Sequence, residues 1–143
     1  MTEADIKRIE DSLRLALPEF YKTFLLNYPE DLIILGVTEF RDTTDFPPLS
    51  YSPDAIIDLN TIGWDHKGWL IVGDADCANY YFIKTDGIDK SVYLWDHYAE
   101  GFDVETESEN ITWEAGLRKE ADSLEEFAKI LIKKIVSPNR IGF

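Results

Sequence analysis

Asp96-His97 sets a carboxylate beside an imidazole, the two groups of a general acid–base pair. The pair follows an apolar, strand-like run, and successive side chains on a strand point to opposite faces. The two groups would therefore not face each other, and His97 is expected to be structural or to edge a binding face. His66, His97 and Cys77 are the soft metal ligands of the chain, but nothing in their spacing resembles a zinc site. Cys77 as a nucleophile would need a base and an electropositive setting. Its neighbours Asp74 and Asp76 disfavour the thiolate instead. Asp74-x-Asp76 resembles the start of a calcium loop, yet Asn79 and Thr85 stand where that loop requires Gly and Glu. Acids in such a turn are expected to bond local backbone. No catalytic residue, metal or cofactor is expected.

The elements that carry these residues show a sharper signal. From Gly68 come three short apolar runs, Trp69-Leu-Ile-Val72, Tyr80-Tyr-Phe-Ile83 and Ser91-Val-Tyr-Leu-Trp95. Between Asp96 and Glu126 there then stand eleven acids and two bases, nine of the chain's fourteen net negative charges. Such a charge excludes binding to nucleic acid or to an anionic membrane, which needs clustered Lys and Arg. It would speed encounter with a cationic protein. An aromatic joined to a nearby acid makes a good interface group, since large rings dominate interface energetics. That criterion selects Trp64 with Asp65, Trp95 with Asp96, and Tyr98 with Glu100. Asp74, Asp76, Glu105, Glu107 and Glu109 complete the expected partner-binding set. Trp69, Tyr81, Tyr93 and Trp113 are either core or interface.

At 143 residues the chain is expected to be one domain, 1–143, with enough apolar content for a core of its own. No apolar run reaches the roughly 20 residues of a membrane span. The N-terminus lacks the basic start and apolar stretch of a secretion signal, and the single cysteine suits a reducing compartment, so a cytoplasmic protein is expected.

Thr2-Glu-Ala-Asp5 is a capping-box variant that starts a helix with Ile6, Ile9 and Leu13 on one side. Pro18 opens a second helix, with Phe20, Tyr21, Phe24, Leu25 and Tyr28 on one face and Pro29 disfavouring its continuation. Leu32-Ile-Ile-Leu35 is a strand candidate. Ser52-Pro53 starts a short helix bearing Ala55, Ile56 and Leu59. Residues 68–95 form an antiparallel meander, because the connections are too short for parallel crossovers and one contains Asp86-Gly87. One more strand is expected near Ile111-Thr-Trp113. Ser123-Leu-Glu-Glu126 caps a last helix, on which Leu124, Phe127, Ala128, Leu131 and Ile135 repeat at three and four.

Three segments together resemble the SMI1/KNR4 family, the SUKH superfamily. They are Leu17-Pro-Glu-Phe-Tyr-Lys-Thr-Phe-Leu-Leu26, the sheet segment Trp69–Asp76 with Tyr80–Lys84 and Val92–His97, and Ala121-Asp-Ser-Leu-Glu-Glu-Phe-Ala128. Asn27-Tyr-Pro29 replaces the Asn-Gly-Gly turn common in that family, and the pattern does not require the long Glu100–Glu120 stretch. The resemblance implies an α+β fold: a mainly antiparallel sheet, with N-terminal helices and a C-terminal helix packed around it. It also implies a non-catalytic protein-binding module. In bacteria that is an immunity protein which blocks a polymorphic toxin, often a nuclease, and the partner here would be a basic toxin domain. The alternatives are a regulatory scaffold of the same fold without a toxin and, further off, a small-molecule enzyme.

Overall fold

The computed structural model describes residues 1–33, 49–61, 68–76, 79–95 and 116–135, the side chains of 75, 76, 134 and 135 excepted. The expected strand at 111–113 and the residues Ile34 and Leu35 lie outside them.

Helix α1 spans Glu3–Leu13. Thr2 and Asp5 form the reciprocal capping box, Asp5 N donating to Thr2 Oγ1 at 3.2 Å and Thr2 N to Asp5 Oδ2 at 3.0 Å. Arg14 ends the helix in the left-handed region, at φ 56°. Helix α2 spans Glu19–Leu26, with Pro18 one position outside it as the N-cap. The side chain of Glu10 joins the two helices by accepting the Leu17 N–H at 2.8 Å. Helix α3, Pro53–Thr61, packs against α1, and Arg8 pairs with Asp54 across that contact.

The expected strand from Leu32 does not form in the part described. Residues 30–33 are helical, because Pro29 starts a new turn: its carbonyl accepts the Leu32 N–H at 3.1 Å and the Ile33 N–H at 3.4 Å. Pro29 stops one helix and, with φ already set, nucleates the next. Leu32 is fully buried by this turn.

The meander is β1 (Trp69–Asp76), β2 (Asn79–Lys84) and β3 (Val92–Trp95), each antiparallel to the next. A fourth strand, β4 (Leu117–Ala121), joins β3, and among the described residues the sheet order is β1-β2-β3-β4. Helix α4, Leu124–Ile135, then returns across the sheet. Ser123 Oγ accepts the Glu126 N–H at 3.1 Å and so begins it.

One sheet face is closed by the helices. Leu70, Val72, Ile83, Val92 and Ala121 meet Ile6, Ile9, Tyr21, Phe24, Leu25, Leu124, Phe127 and Leu131 in a continuous core. Tyr81 stacks on Phe127 with ring centroids 4.8 Å apart. The outer edge of β1 is shielded by segment 49–61. Ser50 N donates to Val72 O at 2.9 Å. The Asn60 amide pairs with Ile71 as a strand would: Ile71 N donates to Asn60 Oδ1 at 2.8 Å, and Asn60 Nδ2 to Ile71 O at 2.9 Å. Asn60→Ala would leave both backbone groups of Ile71 without these partners. It should cost about 2 kcal/mol, read as a lower urea midpoint with an unchanged slope.

Candidate functional site

The other sheet face carries a second cluster. Ile71, Phe82 and Trp95 are buried at its centre, and Leu59, Trp69, Tyr80, Tyr93 and Leu117 surround them half-buried. Strand alternation explains the membership, since Trp69 and Ile71, Tyr80 and Phe82, and Tyr93 and Trp95 are alternate residues of β1, β2 and β3. The register arranges the cluster in rows. Asp74 lies opposite Tyr80, Tyr80 opposite Trp95, and Trp95 opposite Leu117. Ile71, Phe82, Tyr93 and Lys119 form the next row, and Trp69 opposite Lys84 the third. The Trp69 ring meets Tyr93 edge to face at 5.4 Å and Phe82 at 6.3 Å.

Asp89 locks the rim of this face. Its Oδ2 accepts the Tyr93 hydroxyl at 2.6 Å and lies 3.5 Å from Lys84 Nζ, while its Oδ1 accepts the Ser91 N–H at 3.0 Å. Lys84 Nζ in turn sits 5.5 Å from the Trp69 ring centre. The Tyr93 hydroxyl bond, helped by the Ser91 N–H and by Lys84, holds the Asp89 carboxyl well below the usual carboxylate range. The same bond raises the Tyr93 hydroxyl above its ordinary value. Asp89 is depressed in the folded state, so its stabilising effect is fully present above the unfolded carboxylate pKa, about 3.9, and is lost as pH falls below it. Asp89→Asn should cost about 1 kcal/mol at neutral pH, since the site is partly solvated. It should also flatten the loss of stability in a melting series from pH 5 to pH 2.

Of the residues expected at a partner surface, Asp74, Asp76 and Trp95 are described, and all three lie at one end of the sheet. Asp74 is half-buried, and Trp95 is 8% exposed, so that ring supports the face from within. Trp64, Asp65, Asp96, Tyr98, Glu100, Glu105, Glu107 and Glu109 lie outside the described residues, as do His66, Cys77, His97 and Trp113. The chain leaves β3 at Trp95 and re-enters at Leu117, directly opposite. The acid-rich connection is thereby tied at both ends to the Asp74–Tyr80–Trp95–Leu117 row. The described rim carries both signs, Asp74 and Asp89 with Lys84 and Lys119, and Lys119 pairs with Asp122 at 2.5 Å. Sequence reasoning singled out neither Tyr80 and Phe82 nor the Lys84–Asp89 pair for this face. The alternation in β2 signalled the first two.

Among the described residues no three His, Cys, Asp or Glu side chains gather to hold a metal. None of the described helices is long and apolar enough to cross a membrane.

Residues 1–129 match the model of the SMI1 / KNR4 family (SUKH-1). The chain belongs to this family. The α+β architecture, with helices before and after a four-stranded antiparallel sheet, is consistent with that membership. SUKH proteins are known as immunity-protein-like binding modules and are generally non-catalytic, which suggests a protein partner for this member. Neither a curated protein nor a solved structure matches the chain.

Proposed function

We propose that this SUKH protein is an immunity protein that neutralises a cognate toxin by covering it. The contact would be centred on the end of the sheet that carries Asp74, Asp76, Tyr80 and Trp95, where the acid-rich sequence 96–116 begins and ends. The observation that carries the reading is the pairing of Trp95 with Leu117. It anchors a segment holding Asp96, Glu100, Glu105, Glu107 and Glu109 to the edge of an aromatic face. The half-buried Tyr80 ring, with Trp64 and Tyr98 as further rings, would contribute affinity by desolvation. The carboxylates, with Asp65, would pair with the Lys and Arg side chains that a nuclease uses on phosphate. The chain itself performs no chemistry in this reading. It acts in the cytoplasm as one domain, without cofactor, nucleic acid or membrane.

Co-expression with the product of the neighbouring gene, where a cognate toxin is expected, tests this. A stable complex is expected, one that forms more slowly as salt rises. Absence of a complex at micromolar concentrations of both proteins would leave the proposal without support.

A further inference from the structure

The turn joining β2 to β3 lies at the opposite end of the sheet from the acid-rich connection, and it presents an aliphatic side chain to solvent. Ile88 is 83% exposed, more than any other large apolar residue among those described. The turn that holds it is pinned. Asp86 Oδ1 accepts the N–H groups of Ile88, at 2.8 Å, and of Asp89, at 3.1 Å. Thr85 N donates to Gly68 O at 2.9 Å, and Gly87 takes the positive φ of 76° that the bend requires. Asp89 is fixed in turn by Ser91, Tyr93 and Lys84. An anchor already ordered loses little entropy when it docks.

Beside this knob lies a hole. It is a half-open depression of about 520 Å³ between the turn, at Gly87 and Lys90, and the N-terminal halves of α2 and α4, at Glu19, Phe20, Thr23 and Glu125. Phe20 is half-buried there and gives it an apolar wall. Its charged lining is Lys90, Glu125 and Glu19; Glu19 is held by Lys22 at 2.7 Å, which leaves Lys90 and Glu125 as the two opposite charges that make no ion pair among the described residues. A uniformly basic partner would meet Lys90 as a repulsion. A surface bearing the same knob, hole and both charges would not. A knob beside a hole with opposite charges around it is self-complementary under a two-fold rotation, the symmetry of an isologous dimer.

We infer that two copies of this chain associate through this end of the sheet. Ile88 of each enters the cavity of the other, and Lys90 of one copy lies against Glu125 of the other. The interface is separate from the proposed toxin-binding end and leaves it open in both copies.

Sedimentation equilibrium of the full chain, over a concentration series up to about 1 mM, tests this. The wild type is expected to shift from monomer to dimer. Ile88→Asp should weaken association at least about tenfold while leaving the circular dichroism spectrum unchanged, because the side chain supports no core contact. Lys90→Glu and Glu125→Lys should each weaken it, and the double charge swap should restore it. A wild type that stays monomeric throughout, an Ile88→Asp variant that dimerises normally, or a swap that fails to restore association would each overturn the inference. Toxin binding is a separate readout, since none of these changes touches residues 96–116.

Discussion

Phe82→Ala will lower the unfolding free energy by about 3–5 kcal/mol, a large share of the stability of a domain this size. Phe82 has 0% exposure, although it lies on the sheet face away from the helical core. Its ring is wedged below Trp69 and beside Ile71, Tyr93 and Trp95, so truncation leaves a void that these neighbours on the two flanking strands cannot close. Phe82→Leu should cost markedly less, since it keeps most of the volume. Urea unfolding of both variants checks this. Near-neutral behaviour of the alanine variant would mean that this face is a loose surface and not a second packed layer. The result bears on function, because a rigid aromatic platform pays less ordering entropy when a partner covers it.

The second large effect is expected on association with the proposed toxin partner. Reversing Glu105, Glu107 and Glu109 to Lys changes the net charge by six units within five residues. Long-range attraction to a basic partner should fall accordingly. The association rate at low salt should drop about tenfold or more, and the gap between variant and wild type should narrow as screening shortens the Debye length to about 8 Å at 0.15 M. Stopped-flow mixing at several ionic strengths measures it. Equal rates for the two proteins would move the electrostatic contact away from these three residues.

The sequence made much of the fold readable because its signals there are local. Thr2 with Asp5 and Ser123 with Glu126 mark helix starts, and of the apolar stripes that follow, Ile6 and Ile9 are buried in α1 and Leu124, Phe127, Ala128 and Leu131 in α4. The short connections after Asp76 and Lys84 left an antiparallel meander as the only economical topology. Two elements were missed for opposite reasons. Leu32-Ile33 opens an apolar run that reads as a strand, but the turn started at Pro29 overrides that propensity. Leu117-Arg-Lys-Glu-Ala121 reads as a charged loop, yet pairing with β3 makes it a strand, with Arg118 and Lys119 pointing to solvent. Charged edge strands of this kind carry almost no pattern in sequence.

The candidate site was legible in its composition and not in its layout. Tyr80 and Phe82 in β2, and Tyr93 and Trp95 in β3, stand two residues apart, so a ring-bearing face follows from strand period alone. Which acid stands in which row depends on register, and β1 shifts register twice, between Ile71 and Gly73 and between Asp74 and Asp76. Those irregularities decide that Asp74 lies opposite Tyr80. The Asp89 lock is invisible in the same way. It needs the turn at Gly87 to bring a loop carboxylate back to Tyr93 and Lys84.

The most direct test of the proposed occlusion is a titration of the cognate toxin domain, sought in the product of the neighbouring gene, with this protein, the toxin's own activity being the readout. Occlusion predicts that activity falls in proportion to the protein added and is abolished at one chain per toxin. A toxin that stays fully active in the presence of excess protein would contradict it.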